Sequence, residues 1–575
     1  MSRKLIDNAR RRLAAETGCR ANPWGGRLSV ALVYPNTYRQ AMSNLGFLSI
    51  YQLLNSREDT LCERFFLPDA EDMAEHRKTG YPLFSFESGR LLTDFDVIAF
   101  SISFENDYLN LPDIFNLAQI PLWGAERGDR FPLVISGGVC AFLNPEPLAE
   151  VIDLFVIGEG EAILPALVRS IGSAGDLGRD DLLRQLGSLP GIYVPSRYQV
   201  NYQSDGRIAG WTHSADVPER VARQWVRDLD TTQSRSFVLT DQTEFSDMAL
   251  VEISRGCSRG CRFCAAGFLY LPPRERSLDN LLGQIEEGLC ERNKVGLVGA
   301  AVSDFSQIEP LNRAILERGG KISVASLRID SLTANEVEAL KVSGHRTVAL
   351  APEAGSQRMR DAINKGLDRD QILHAVSLLA EGGIPNLKLY FLVGLPGEQN
   401  SDIDELIELI GDIREIWIAE GKKQGKLGNL TLSVNPFIPK PFTPFQWVPM
   451  ADEKSLKQTF QRIRSAVARM PNTEVIFESL RSAVLQAFLS RGDRRVGRTL
   501  PLLTAGDNLK AACRKSGLDP AFYLTRQRGQ DERFPWEILD SGVRREVLWR
   551  EYQMGLASRV SQRCFDGCTR CGVCG

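Results

Sequence analysis

Four apolar runs punctuate the first third of the chain: RLSVALVYP from Arg27, DVIAFSIS from Asp96, PLVISGG from Pro132 and DLFVIGEGE from Asp153. Each ends in glycine, proline, serine or an acidic residue, and helical stretches separate them. Continuous apolar strands alternating with helices imply a parallel sheet covered on both faces. Residues 28–170 are therefore predicted to form a doubly wound, Rossmann-like α/β domain. Ligands of such sheets sit beyond the carboxyl ends of the strands. That places Ser101, Ser103, Ser136, Gly137, Gly138, Gly158, Glu159 and Gly160 at the rim, although the same residues also suit ordinary turns.

A second rhythm of strand and helix runs from 249 to about 437: ALVEIS, VGLVGAAVS, KISVASLRI, TVALAPEAG, PNLKLYFLVGLPGE and LTLSVNPFIP, separated by segments such as SLDNLLGQIEEGLCER. Repeats of this kind predict a barrel, or a partial (β/α)6 barrel, with its site at the strand C-terminal ends. Between the two rhythms, GIYVPSRYQVNYQSDGRIAGW reads as a short β piece with an SDG turn. The prolines of PKPFTPFQW mark a further boundary, and from about 451 the pattern is helical up to the last cysteines. The expected organisation is an α/β domain over 1–170, a connector over 171–245, a barrel over 246–450 and a helical region over 451–575.

The cysteines add chemistry to this frame. LVEISRGCSRGCRFCAAGF, directly after the first strand of the second rhythm, presents Cys257, Cys261 and Cys264 with no fourth thiol nearby. A structural zinc site closes its tetrahedron with a fourth protein ligand. Three thiolates on an iron–sulfur cluster instead leave one iron open for a substrate or cofactor. The tail CFDGCTRCGVCG supplies four more, Cys564, Cys568, Cys571 and Cys574. Their spacing resembles that of ferredoxin segments and suits a second [4Fe–4S] cluster, a four-thiolate zinc site or redox-active thiols. Cys19, Cys62, Cys140, Cys290 and Cys513 are scattered and are expected to be small buried hydrophobes.

Composition narrows the class. The chain has 575 residues, is 43% hydrophobic and 25% charged, and has a formal net charge of -3. It is long enough for several cores, and the charge gives no general reason to expect a polyanion partner. No apolar run approaches the roughly 18 residues of a membrane span. The start, MSRKLIDNARRRLAAETG, reads as a charged helix rather than a signal peptide. Clustered thiols in such a chain fit metal or redox chemistry in a reducing cytoplasm better than disulfides.

The run CSRGCRFC followed by five further βα units resembles the radical S-adenosylmethionine (radical SAM) enzymes, over roughly 249–445. RGCSRGCRFC, PEAG and GLPGE are similar to the subset with an N-terminal cobalamin-binding domain. SGG and EPLAEVIDLFVIGEGE, between Ser136 and Glu161, resemble the later half of that domain. CRFCAAGFLYLPPRERS and PFIPKPFTPFQW resemble an uncharacterised branch of that subset. The resemblance implies that Cys257, Cys261 and Cys264 hold a [4Fe–4S] cluster whose open iron binds SAM, and that one electron cleaves SAM to a 5′-deoxyadenosyl radical. It further implies that Phe263 packs near adenine, that Glu353 bonds SAM's polar groups, that Arg328 pairs with its carboxylate, and that Gly394, Leu395, Pro396 and Gly397 approach adenine. The plainer readings are a core aromatic, a helix-start carboxylate, a surface ion pair and a tight turn. No catalytic residue is assigned.

The pattern departs from the family at one point. The stretch YPNTYRQAMSNLGFLSIY lacks the DxHxxG histidine that ligates cobalt in many cobalamin domains, and the chain holds only His76, His213, His345 and His374. This suits cobalamin held without a histidine beneath cobalt, and equally a domain that has lost the cofactor. The resemblance implies cobalamin-dependent methyl transfer to an unactivated carbon of a small molecule, peptide or RNA. Radical rearrangement, cyclisation or sulfur insertion is the alternative, and a non-catalytic sensor the third reading. Either enzyme needs a reductant such as ferredoxin or flavodoxin.

Overall fold

The apolar runs of the first domain become the strands β1 (Leu28–Tyr34), β2 (Thr60–Phe66), β3 (Val97–Ser101), β4 (Leu133–Gly137), β5 (Leu154–Val156) and β6 (Ile192–Tyr193). The computed structural model describes residues 2–18, 20–245, 248–325, 327–565 and 567–574. The strand order is β2-β1-β3-β4-β5-β6, parallel except for the antiparallel edge β6. Alternation along β1 explains the layering: Ala31 and Val33 enter the core on one face, while Val30, Leu32 and Tyr34 enter the core on the other. This is the doubly wound class expected, in its flavodoxin-like order, and the order reverses between β1 and β3.

Strand β2 escapes the apolar pattern because Glu63 and Arg64 interrupt it. Both are buried and paired: Arg64 donates to Glu16 at 2.6 Å and to Glu87 at 2.7 Å, and Glu63 accepts from Trp24 Nε1 at 2.7 Å. Buried charge persists in a sheet when it is compensated in this way. The connector contains the expected hairpin, Tyr198–Tyr202 against Ile208–His213, closed at the SDG turn by Gly206 with φ +87°.

The second rhythm forms β7 (Ala249–Glu252), β8 (Lys294–Val298) and β9 (Lys321–Val324) in one parallel sheet. Strands β10 (Thr347–Glu353), β11 (Asn386–Val393), β12 (Asn429–Pro436) and β13 (Thr473–Phe477) form another. A parallel bridge from Leu327 to Leu350 links the two into an open barrel. The six expected units are present. Strand β13 is a seventh, drawn from a stretch expected to be helical; its five residues alternate between half-buried and exposed, a pattern too short to stand out beside the helix Glu453–Val467.

The C-terminal region ties the two domains together. Its helix Leu480–Arg491 meets the first domain through Gln486, which donates to Glu105 at 2.9 Å, and Asn144 donates to the Gly492 carbonyl at 2.7 Å. PKPFTPFQW is packed into the interior: Phe445 and Trp447 are fully buried, and Trp447 packs against Phe534, Trp549 and Tyr552. Among the described residues, no helix is long and apolar enough to cross a membrane. Cys62, Cys140 and Cys513 are buried as expected. Cys290 is instead exposed, because it sits at the C-cap of the helix Leu278–Leu289, beyond the buried stripe. Cys19 lies outside the described residues.

Candidate active site

The C-terminal ends of the strands in both domains open into one cavity of about 890 Å³. The first domain contributes Asn44, Ser101, Ser103, Gly137, Gly138, Gly158, Glu159 and Gly160; the barrel contributes Cys257, Cys261, Phe263, Cys264, Arg328, Glu353 and Lys365. Of the predicted rim residues only Ser136 stays out of the wall. Its neighbours Ile135 and Gly137 line the cavity, so alternation along β4 turns Ser136 to the other face, where it is buried. Gly138 and Gly158 are required by the backbone: φ is +95° and +126°, and a Cβ would lie 2.5 Å from the Ile102 carbonyl oxygen and 2.0 Å from that of Gln224.

Glu159 lines the cavity but is not free to bind a ligand. It accepts from Arg255 at 2.8 Å, from Arg274 at 2.7 and 3.0 Å, and from the Val226 amide at 2.9 Å. Burial pushes its carboxyl up, but Arg274 and Arg255 outweigh that and hold it below its ordinary value. Arg255 also pairs with Glu161 at 3.0 Å and Glu252 at 2.8 Å. The segment just before Cys257 is thereby clamped to the first domain. No local sequence signal announces this clamp, since its halves lie 96 residues apart.

The three thiols of the loop after β7 share one stretch of cavity wall. Gly256 turns the chain with φ +89°, where a Cβ would meet the Tyr270 carbonyl oxygen at 2.4 Å. Burial, followed by the neighbouring Cys261, pushes the Cys264 thiol up to about 11, while the amides of Ala266 and Gly267 oppose it. Burial likewise raises Cys261, against the pull of Lys365. Thiols in such a place ionise when a cation shares the site, and three soft donors on one loop suit iron in a cluster. Among the described residues, no three His, Cys, Asp or Glu side chains stand close enough together to hold a metal ion as they are placed here.

The other predicted residues divide. Phe263 lines the cavity and also packs on the main core. Glu353 ends β10 beyond a register shift, with φ +66°, and accepts from Lys365 at 3.3 Å. Burial raises its carboxyl, and Lys365 counters. Lys365 escaped sequence reasoning; its one local mark is Asn364, another non-glycine residue with positive φ. Arg328 reaches the wall already paired, donating to Asp330 at 3.0 Å in a pair that is buried rather than on the surface. Burial alone would raise Asp330, but Arg328 and Arg259 bring it down to about 2. Gly394, Leu395, Pro396 and Gly397 are not part of the cavity wall. They form a tight turn in which the Gly394 amide donates to Glu398 at 2.7 Å and Leu395 enters the core.

The tail meets the thiol loop at Cys564, and none of its four cysteines lines the cavity. The Cys564 amide donates to the Ser258 carbonyl at 2.8 Å, and the Arg544 amide donates to the Cys571 carbonyl at 2.9 Å. Arg570 Nε donates to Cys568 Sγ at 3.3 Å and lowers that thiol, whereas burial and the surrounding thiols push Cys564 up to about 11.

Two family descriptions match the chain: radical SAM proteins, N-terminal, over 46–195, and the radical SAM superfamily over 251–410. The chain belongs to the radical SAM superfamily, with both the N-terminal and the core description matched. An uncharacterized protein of Methanocaldococcus jannaschii is 29% identical over 495 residues, which is 85% of this chain and 94% of that one. The tRNA-2-methylthio-N(6)-dimethylallyladenosine synthase of Tropheryma whipplei is 25% identical over 247 residues, 40% of this chain and 47% of that enzyme; the alignment thus spans about half of that relative. Among solved structures, the radical S-adenosylmethionine methyltransferase TsrM of Kitasatospora setae, with cobalamin and a [4Fe–4S] cluster bound, aligns with a TM-score of 0.48 at 14% identity, over 74% of this chain and 79% of that one. The cobalamin-dependent enzyme OxsB aligns with a TM-score of 0.44 at 17% identity, over 67% and 52%.

Proposed function

We propose that this radical SAM enzyme transfers a methyl group to an unactivated carbon and that its first domain holds cobalamin. The observation that carries the reading is the single cavity joining the thiol loop to the strand-end rim of the first domain. A cofactor at the rim and a SAM at the thiol loop would share that space with the substrate.

Cys257, Cys261 and Cys264 would hold the [4Fe–4S] cluster, which when bound supplies the electron that breaks SAM's C–S bond. Glu353 and Lys365 offer a carboxylate and an ammonium at 3.3 Å, a charge pair able to reorganise around the amino and carboxylate groups of SAM. Arg328 contributes positive potential while remaining tied to Asp330. At the rim, Gly137, Gly138, Gly158 and Gly160 leave backbone bare for a broad ring system, and Ser101, Ser103 and Asn44 supply polar groups beside it. No histidine is among the described residues of the wall, so the chain would offer cobalt no imidazole. Leu32, Ile135, Val156, Leu250 and Leu297 make much of the wall apolar, which keeps water from a carbon radical.

The test is anaerobic purification of the full chain with cobalamin supplied, followed by quantification of bound corrinoid, 5′-deoxyadenosine and S-adenosylhomocysteine. Methyl transfer predicts bound corrinoid and both products. 5′-Deoxyadenosine without S-adenosylhomocysteine or corrinoid would turn the assignment to rearrangement or cyclisation. Replacing Cys261 by Ala is expected to abolish 5′-deoxyadenosine altogether.

A further inference from the structure

We propose that Cys564, Cys568, Cys571 and Cys574 hold a second [4Fe–4S] cluster outside the reaction cavity. Its role is to relay electrons to the first cluster from a small acidic one-electron carrier protein docked on the C-terminal segment. The inference rests on the reading of Cys257, Cys261 and Cys264 given above and adds the route by which they are reduced.

A chain terminus frays unless it is tied down, and this one is tied to one particular place. The Cys564 amide donates to the carbonyl of Ser258, the neighbour of Cys257. The Ser561 amide donates to Asn364 at 2.8 Å, and Asn364 donates onward to the Gly260 carbonyl at 3.2 Å. Arg262 Nη2 donates to the Ser561 hydroxyl at 2.7 Å. Arg563 and Arg259 share Asp330, at 2.7 and 2.5 Å. Residues 561–564 thus brace the loop that carries the first three thiols. A single hydrogen bond and a short run of backbone separate the two cysteine groups.

The four thiols fall within one short segment, and no three of them stand close enough to hold a metal ion as placed here, so the segment would draw in around the cluster. Cys564 and Cys568 are within hydrogen-bonding reach of each other, and Cys571 and Cys574 lie close enough to perturb Cys564. Yet the cavity wall contains Cys257, Cys261 and Cys264 and none of the four tail cysteines. A sulfur or iron that never faces the cavity is poorly placed to donate sulfur to a substrate or to bind one there. It is well placed behind the first cluster, on the path from solvent.

The outer surface of the tail completes the case. Leu556, Val560 and Phe565 are exposed at 51%, 57% and 54%, Cys574 is exposed, and the Arg570 guanidinium lies 5.8 Å from the Phe565 ring centroid. Residues 556–574 contain Arg559, Arg563 and Arg570 against a single acidic residue, on a chain whose net charge is -3. Exposed apolar side chains in a segment rich in arginine, with Arg570 beside Phe565, complement a partner that has an acidic rim. In each cycle one electron leaves the reduced carrier, which departs oxidised by one. The electron passes through the tail site and the first cluster to the SAM sulfonium. The C–S bond breaks there to give methionine and the 5′-deoxyadenosyl radical.

The test uses the full-length chain reconstituted anaerobically, as wild type and as the Cys568→Ser/Cys571→Ser double variant. Iron, sulfide and zinc are quantified, and 5′-deoxyadenosine is measured with dithionite and with reduced flavodoxin as alternative electron sources. The relay predicts a fall from about eight irons to about four, retained product with dithionite and lost product with flavodoxin. An Arg559→Glu variant is expected to keep its iron and bind flavodoxin more weakly in a direct titration. Unchanged iron, zinc in place of iron, flavodoxin-driven product in the double variant, or loss of dithionite-driven product as well would each overturn the relay. A wild type inactive even with dithionite would instead count against the reading of Cys257, Cys261 and Cys264.

Discussion

Among the described residues, replacing Glu159 by Ala removes the one carboxylate that Arg274 contacts and one of three that Arg255 contacts. The side chains of Glu159 and Arg274 are 4% and 7% exposed, so solvent screens the pair little. Removing one partner of a buried ion pair costs about 3–5 kcal/mol, mostly for the charge left behind. Arg255 keeps Glu161 and Glu252, so the loss should centre on Arg274. The Trp225 ring lies 5.0 Å from the Arg274 guanidinium and packs at the same interface. Urea unfolding followed by circular dichroism should show a lower midpoint in the variant, as the loop before Cys257 loses its hold on the first domain. A Glu159→Ala/Arg274→Met double variant should recover most of the loss, since removing both charges leaves nothing unpaired. The pH dependence has a definite sign: Glu159 is lowered below its ordinary value of 4.5. Its contribution is therefore full above 4.5 and disappears as pH falls through the depressed folded value. A loss under about 1 kcal/mol in the single variant, or a double variant no better than the single, would show that Glu159 is a free rim residue after all.

Two further predictions concern the backbone and a buried acid. Gly158→Ala should destabilise the first domain by on the order of 3 kcal/mol or more, because its Cβ would press on the Gln224 carbonyl. Gly175→Ala, with positive φ but open space around it, should cost only about 1–2 kcal/mol in the same thermal unfolding experiment, and equal losses would refute the contact. Burial pushes the Glu398 carboxyl up to about 7, so stability should decline as pH rises from 4.5 towards 7. Glu398→Gln should flatten that slope in denaturant titrations at several pH values, and an unaltered slope would place the titration elsewhere.

Sequence was informative wherever the signal was local. The apolar runs of β1, β3, β4 and β5 and the six barrel strands were legible because a buried strand needs only its own residues to be apolar. The three thiols before Ala265 and the SDG turn were legible for the same reason: their geometry is set within a few residues. Strand β2 was not, since Glu63 and Arg64 look like surface charges until Glu16, Glu87 and Trp24 are seen around them. Strand β13 was hidden by its shortness, and the exposure of Cys290 by its place one residue past a helix.

The site divides along the same line. The residue types and spacings of Cys257, Cys261, Cys264 and the tail cysteines fixed which chemistry was available before any fold was known. That the first domain and the barrel open into one cavity, that Glu159 is spent on Arg255 and Arg274, that the GLPGE turn stands apart from the wall, and that Cys564 rests on Ser258 were decided only by tertiary structure. Periodicity and loop spacing act over neighbouring residues, whereas these contacts join positions 96 or more apart in the chain, where the choice of partner is made by packing.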